Sequence, residues 1–215
     1  MSKPTRERLL LKGYDGEVWC LLCKATPEDT SSVNVPLPMK ANNIGKKTKI
    51  KANQRWTPAA NGNLTLYVDA AFLPNHHQGG IGGILRDHEG KFRAAFTRPI
   101  PFTASPKQCE LMAIRAGLDL LHSMQTRDVT IQSDCLEAID EIKAPDHELL
   151  ANGGIIDDIK HPCNSIVNVS LVHTPRTCNG IAHRLAAIGF DDNLAAIWVD
   201  NPPECILDLL QIEGT

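Results

Sequence analysis

Three stretches of strand-like alternation follow one another between Leu64 and Thr97, and from Ser105 onward helical and strand-like periods take turns. No other feature restricts the fold as much. Leu64-Thr65-Leu66-Tyr67-Val68-Asp69 sets Leu64, Leu66 and Val68 on one face. Gly79 to Asp87 is a glycine-rich second strand, His88-Glu89-Gly90 a turn, and Lys91 to Thr97 the returning third strand, so the three form an antiparallel meander. Ser105 and Pro106 then suit a helix cap and first turn, and Leu111, Ile114, Leu118 and Leu121 recur at helical spacing. Val129 to Asp134 and Ile166 to His173 read as strands; Leu136 to Ile142, Ala151 to Ile159 and Asn179 to Ile188 read as helices. The order β-β-β-α-β-α-α-β-α predicts an α/β fold in which a mixed five-stranded sheet, three antiparallel strands followed by βα units, is flanked by helices.

The texture before Gly62 is different. Residues 26–62 are dominated by Pro, Ser, Thr, Asn, Lys and Gly with little hydrophobic periodicity, and read as a basic flexible linker. Residues 1–25 hold a small apolar island with Cys20 and Cys23, half of a structural zinc site, and read as the remnant of a zinc-knuckle-like segment. The organised domain is expected over residues 63–215. Charge follows the same division. The first 60 residues carry eleven Lys and Arg against five acids, and the remainder eleven against twenty. Lys40, Lys46, Lys47, Lys49, Lys51 and Arg55 lie in one acid-free run, which is either a source of phosphate attraction or a solvated linker. No run of about 18 apolar residues exists to span a bilayer. The leucines at 9–11 are too few for a signal-peptide core, so a nuclear or cytoplasmic location is expected, with the seven cysteines reduced.

Three acids stand where carboxylates serve chemistry better than structure. Asp69 ends the first strand and Asp134 the fourth, each directly after an alternating apolar run. Glu110 lies one helical turn before Ile114, on the face that Ala113, Ile114 and Gly117 turn toward the sheet. If the first and fourth strands are neighbours, the three converge at one end of the sheet. Unpaired acids so placed repel one another, and their pKa values rise unless cations join them. Mg²⁺ is the hard, oxygen-seeking ion that suits such a cluster, and paired metals on convergent acids make a phosphodiester hydrolase. Each acid alone also has a plain structural use, as turn former, helix cap or dipole partner.

Tyr67-Val68-Asp69-Ala70-Ala71-Phe72, Gly80 to Gly90, Cys109 to Leu118, Ile131-Gln132-Ser133-Asp134-Cys135 and Asn179 to Ala186 together resemble the plant ribonuclease H-like family. That family is similar in turn to the ribonuclease H domains attached to reverse transcriptases of non-LTR retroelements. The resemblance covers some 155 residues and extends to the tail around Trp198, Pro202 and Pro203. It implies a ribonuclease H fold that cuts the RNA strand of RNA·DNA hybrids with Mg²⁺ or Mn²⁺. Asp69, Glu110 and Asp134 would correspond to three of four metal-binding acids, and His173 is similar to a histidine that assists turnover from a flexible loop.

One position departs from the pattern. Where active ribonucleases H usually carry Asp, four residues after the asparagine, this chain has His183. It is taken as the fourth catalytic and metal-binding position, although imidazole is a poorer partner for Mg²⁺ than carboxylate and, if protonated, would repel a second metal. The glycines around Gly80 and Gly82 are read as a close approach for a nucleic-acid strand, with a bulged edge strand as the structural alternative. Asn179 is either a substrate contact or a helix cap. The competing functional reading is a weak or inactive nucleic-acid-binding module derived from a retroelement, which His183 and the incomplete Cys20/Cys23 segment favour.

Overall fold

The computed structural model describes residues 63–145, 151–165 and 168–213. The expected zinc-knuckle remnant and basic linker lie outside the described residues.

Among the described residues, six strands form one sheet. β1 (Leu64–Leu73), β2 (Gln78–Arg86) and β3 (Phe92–Ile100) are the predicted meander, with antiparallel pairing throughout. β4 (Val129–Ser133) lies parallel to β1 and β5 (Val169–His173) parallel to β4. The sheet has one strand more than the sequence suggested. β6 (Ala196–Val199) pairs antiparallel with β3, which gives the order β5-β4-β1-β2-β3-β6. Only four residues long and at the edge, β6 offers too short an alternation to read from sequence. β5 also starts later than expected. Asn168 has φ of 59°, in the left-handed region, so extended pairing begins at Val169.

Among the described residues, five helices cover the sheet: α1 (Pro106–Ser123), α2 (Leu136–Lys143), α3 (Gly153–Ser165), α4 (Gly180–Asp191) and α5 (Leu207–Ile212). α1 starts where Ser105 and Pro106 predicted. The Ser105 hydroxyl accepts from the Gln108 amide at 3.1 Å, and Pro106 opens the first turn, where its missing N–H costs nothing.

The strand alternation divides the core into two layers. Leu66, Val68, Ala70, Ile81 and Leu85 pack with Leu111, Ile114 and Leu118 of α1 on one side. Tyr67, Ile84 and Ala95 pack with Ile181, Ala182 and Leu185 of α4 on the other. α1 comes close to the sheet because Gly117 carries no side chain: a Cβ there would stand 2.7 Å from Leu66 Cδ2. The apolar area removed from water on the two faces holds both helices in place. No helix among the described residues is long and apolar enough to cross a membrane.

Candidate active site

The pairing of β1 with β4 brings two of the acids together. Tyr67 registers against Gln132 at the end of their parallel ladder. Two residues further on stand Asp69 and Asp134. Asp134 directly follows the last residue of β4, whereas Asp69 does not end its strand as the sequence suggested, because β1 continues beside β2 to Leu73. Glu110 comes down onto them from the first turns of α1. One carboxylate oxygen of each of Asp69, Glu110 and Asp134 lies within 4.8 Å of the others. The expectation that β1 and β4 are neighbours, from which this convergence followed, therefore matches the structure.

The electrostatics are those of a carboxylate group lacking enough positive charge. Asp69 and Glu110 are buried, and Glu110 Oε2 has no hydrogen-bond partner. Burial, then the charges of Asp69 and Asp134, push the Glu110 carboxyl well above the usual carboxylate range. Asp134 is pushed up to about 6 by burial and the Asp69 charge, against the pull of Arg176 and His183. A hard divalent cation answers each of these features. It accepts oxygen donors, occupies the unpaired Glu110 oxygen and lowers the carboxyl pKa values. The donor set thus fits such an ion.

The remaining expected residues take different places. His183, on the first turn of α4, stands beside Asp69 rather than among the three carboxylates: its Nδ1 is 2.6 Å from Asp69 Oδ2. With Asp69 ionised, that nitrogen carries the proton and donates. His173 is exposed, and it is the last residue of β5 rather than part of a loop; it pairs with Ser133, the residue before Asp134. Asn179 occupies the cap position of α4, and its carbonyl accepts from the His183 amide, but its side chain does not cap. Instead Nδ2 donates to the Val68 carbonyl at 2.9 Å, and the residue is almost fully buried. In that position it fastens the start of α4 to the strand that carries Asp69.

The glycine reading needs correction. β2 is an interior strand between β1 and β3, and Gly80 and Gly82 face α4. A Cβ on Gly80 would stand 2.2 Å from the Ala186 carbonyl oxygen, and one on Gly82 2.4 Å from the Ala186 amide nitrogen. Both glycines are buried beneath helix backbone, so their bare faces admit α4 and leave no access for a nucleic-acid strand.

One site residue was not anticipated. Arg176 opens the 3₁₀ turn Arg176–Cys178 just before α4. Its Nη1 lies 3.8 Å from Asp134 Oδ2, and its Nη2 3.4 Å from His183 Nδ1. Arg176 follows Pro175 in a stretch with no helical or strand period, and only the meeting of this turn with the end of β4 gives it meaning.

A mixed sheet in this order, with carboxylates gathered where the β1–β4 ladder ends under α1, defines a ribonuclease H-like domain. Residues 67–189 match the family described as reverse transcriptase-like, and the chain belongs to that family. Solved structures carry the same fold. Ribonuclease H1 of the halophilic archaeon Halobacterium salinarum NRC-1 is 21% identical, with a TM-score of 0.56 over 61% of this chain and 99% of that one. The N-terminal RNase H domain of rv2228c from Mycobacterium tuberculosis is 17% identical, with a TM-score of 0.54 over 61% of this chain and 96% of that one. LC11-RNase H1, isolated from compost by a metagenomic approach and solved in complex with RNA/DNA hybrid, is 21% identical, with a TM-score of 0.53 over 61% and 99%. No curated protein matches the chain by sequence.

Proposed function

We propose that this chain is a metal-dependent endonuclease that hydrolyses the RNA strand of RNA·DNA hybrids, with Asp69, Glu110 and Asp134 holding the metal. The observation that carries this reading is the group of three acids from separate elements, within 4.8 Å of one another, with the buried Glu110 Oε2 unpaired. Acids held this way cost stability unless a cation is bound, and a fold that keeps them does so for binding. Mg²⁺ fits the all-oxygen donor set, and Mn²⁺ is the alternative ion. The hybrid as substrate is supported by the neighbour of the same fold solved with RNA/DNA hybrid.

A divalent ion at this site supplies Lewis acidity toward a phosphodiester and lowers the pKa of a water nucleophile. The protein's own residues supply the rest. Asp69 within β1, Asp134 just past the end of β4, and Glu110, on a buried helix face, form a rigid oxygen cradle. His183 orients Asp69 through the Nδ1 hydrogen bond. His173, exposed at the end of β5 opposite Ser133, is in this reading the residue that assists turnover. Residues 63–215 form the catalytic unit in this reading, and the basic run in 26–62 adds phosphate attraction.

The test is cleavage of a labelled RNA·DNA hybrid in Mg²⁺ and in Mn²⁺, beside an Asp69→Asn variant. Metal-dependent cutting of the RNA strand, lost in the variant, is the expected result. A second reading, a nucleic-acid-binding module of retroelement origin with little turnover, is favoured by one observation: Asp69 Oδ2 is already engaged by His183. Hybrid binding without cleavage in either metal selects that reading.

A further inference from the structure

We infer that His183 and Arg176 fill the place a second divalent ion would take, so that the three carboxylates bind a single ion. The inference rests on reading those carboxylates as metal ligands. His183 Nδ1 and Asp69 Oδ2 are 2.6 Å apart. Neighbouring ligands of an octahedral Mg²⁺ lie about 3 Å apart, given metal–oxygen distances of roughly 2.1 Å. The shorter contact is a hydrogen bond between imidazole and carboxylate, too close for the two atoms to be neighbouring ligands of one such ion. The two atoms therefore serve each other and not a shared ion.

Arg176 adds a fixed charge beside the same contact. Its guanidinium is charged at any working pH and reaches both Asp134 Oδ2, at 3.8 Å, and His183 Nδ1, at 3.4 Å. An ion bound between Asp69 and His183 would have this fixed charge as its neighbour, within the range where Coulomb repulsion at a partly buried site is strong. The charges also balance without a second ion: three carboxylates are offset by one divalent cation and one guanidinium. Neither residue hangs from a free loop. Arg176 and His183 flank Asn179, whose side chain is bonded to the Val68 carbonyl.

The experiment is a titration of the full chain with Mn²⁺, following loss of the hexaaqua Mn²⁺ signal by electron paramagnetic resonance. Binding elsewhere is subtracted with a chain carrying Asp69→Asn and Asp134→Asn. A single site-bound ion is expected in the wild type, and a second in the His183→Asp/Arg176→Gln variant. Two ions in the wild type overturn the inference and leave the carboxylates as ligands. A double variant that still binds one ion overturns the assignment to these two residues. No site-specific ion at all in the wild type overturns both the inference and the metal reading beneath it.

Discussion

Asn179 Nδ2 donates a 2.9 Å hydrogen bond to the carbonyl of Val68, across 111 residues of sequence and one position before Asp69. The bond is buried, and together with the His183–Asp69 contact it ties the start of α4 to β1, the strand that carries Asp69. Asn179→Ala leaves the Val68 carbonyl unpaired while also removing the unpartnered Oδ1 of Asn179. The two effects oppose, so the net cost is about 1 kcal/mol rather than the full price of an orphaned acceptor. Urea unfolding should show a lower midpoint at an unchanged slope, and Mn²⁺ affinity should fall as Asp69 loses its brace. Unaltered Mn²⁺ affinity would mean that the bond supports the fold alone.

Gly82 distinguishes packing from substrate contact. A Cβ there would stand 2.4 Å from the Ala186 amide nitrogen and 2.6 Å from the Leu185 carbonyl carbon, both backbone atoms that cannot swing aside. Gly82→Ala is expected to cost about 3 kcal/mol through overpacking, read as a drop in melting temperature. A stable variant with weakened hybrid binding would instead restore the substrate reading.

How much of this was legible in the sequence depends on how local the signal is. Asp69, Asp134 and Glu110 could be found because each follows or sits within an apolar period that fixes its direction, and Ser105-Pro106 marks a helix start within two residues. Arg176, the Asn179–Val68 bond and the Arg86–Glu213 pair could not, since each depends on a partner far away in the chain and on no periodic pattern. The glycines between 79 and 83 were conspicuous, but their purpose was not. A missing Cβ signals close approach without saying by what, and here the answer is α4. β6 was missed because four edge residues carry too little alternation, and its place is set by pairing with β3.

The C-terminal segment is held by a buried charge. Arg86, the last residue of β2, is fully buried and forms an ion pair with Glu213, just beyond α5. Burial holds the Arg86 pKa down and Glu213 pulls it back up. Removing the carboxylate charge by Glu213→Gln takes an ion-pair partner from the buried guanidinium and should cost about 3 kcal/mol, whereas Arg86→Met with Glu213→Leu should recover most of the loss. Equal instability of the single and double variants in urea would show that the pair contributes by shape and not by charge.

Without metal, the site should make the protein less stable as pH rises. Glu110 and Asp134 both have folded-state pKa values above their ordinary ones, Asp134 at about 6. A carboxyl shifted upward binds its proton more tightly in the folded state than in the unfolded. Below about pH 4, Asp134 is protonated in both states and contributes no difference. Through the window from there to about 6 the unfolded form has released its proton while the folded form still holds one, so stability falls; Glu110 extends the loss to higher pH. Melting temperatures in chelator should therefore decline from pH 5 to pH 8 in the wild type, and decline less in Glu110→Gln, which has no proton to lose at that position. Excess Mg²⁺ at pH 8 should raise the wild-type melting temperature and barely move that of an Asp69→Asn/Asp134→Asn variant. A wild type whose melting temperature in chelator is flat across this range, and unmoved by Mg²⁺, would show that the three carboxylates are relieved by the protein's own cations and need no ion.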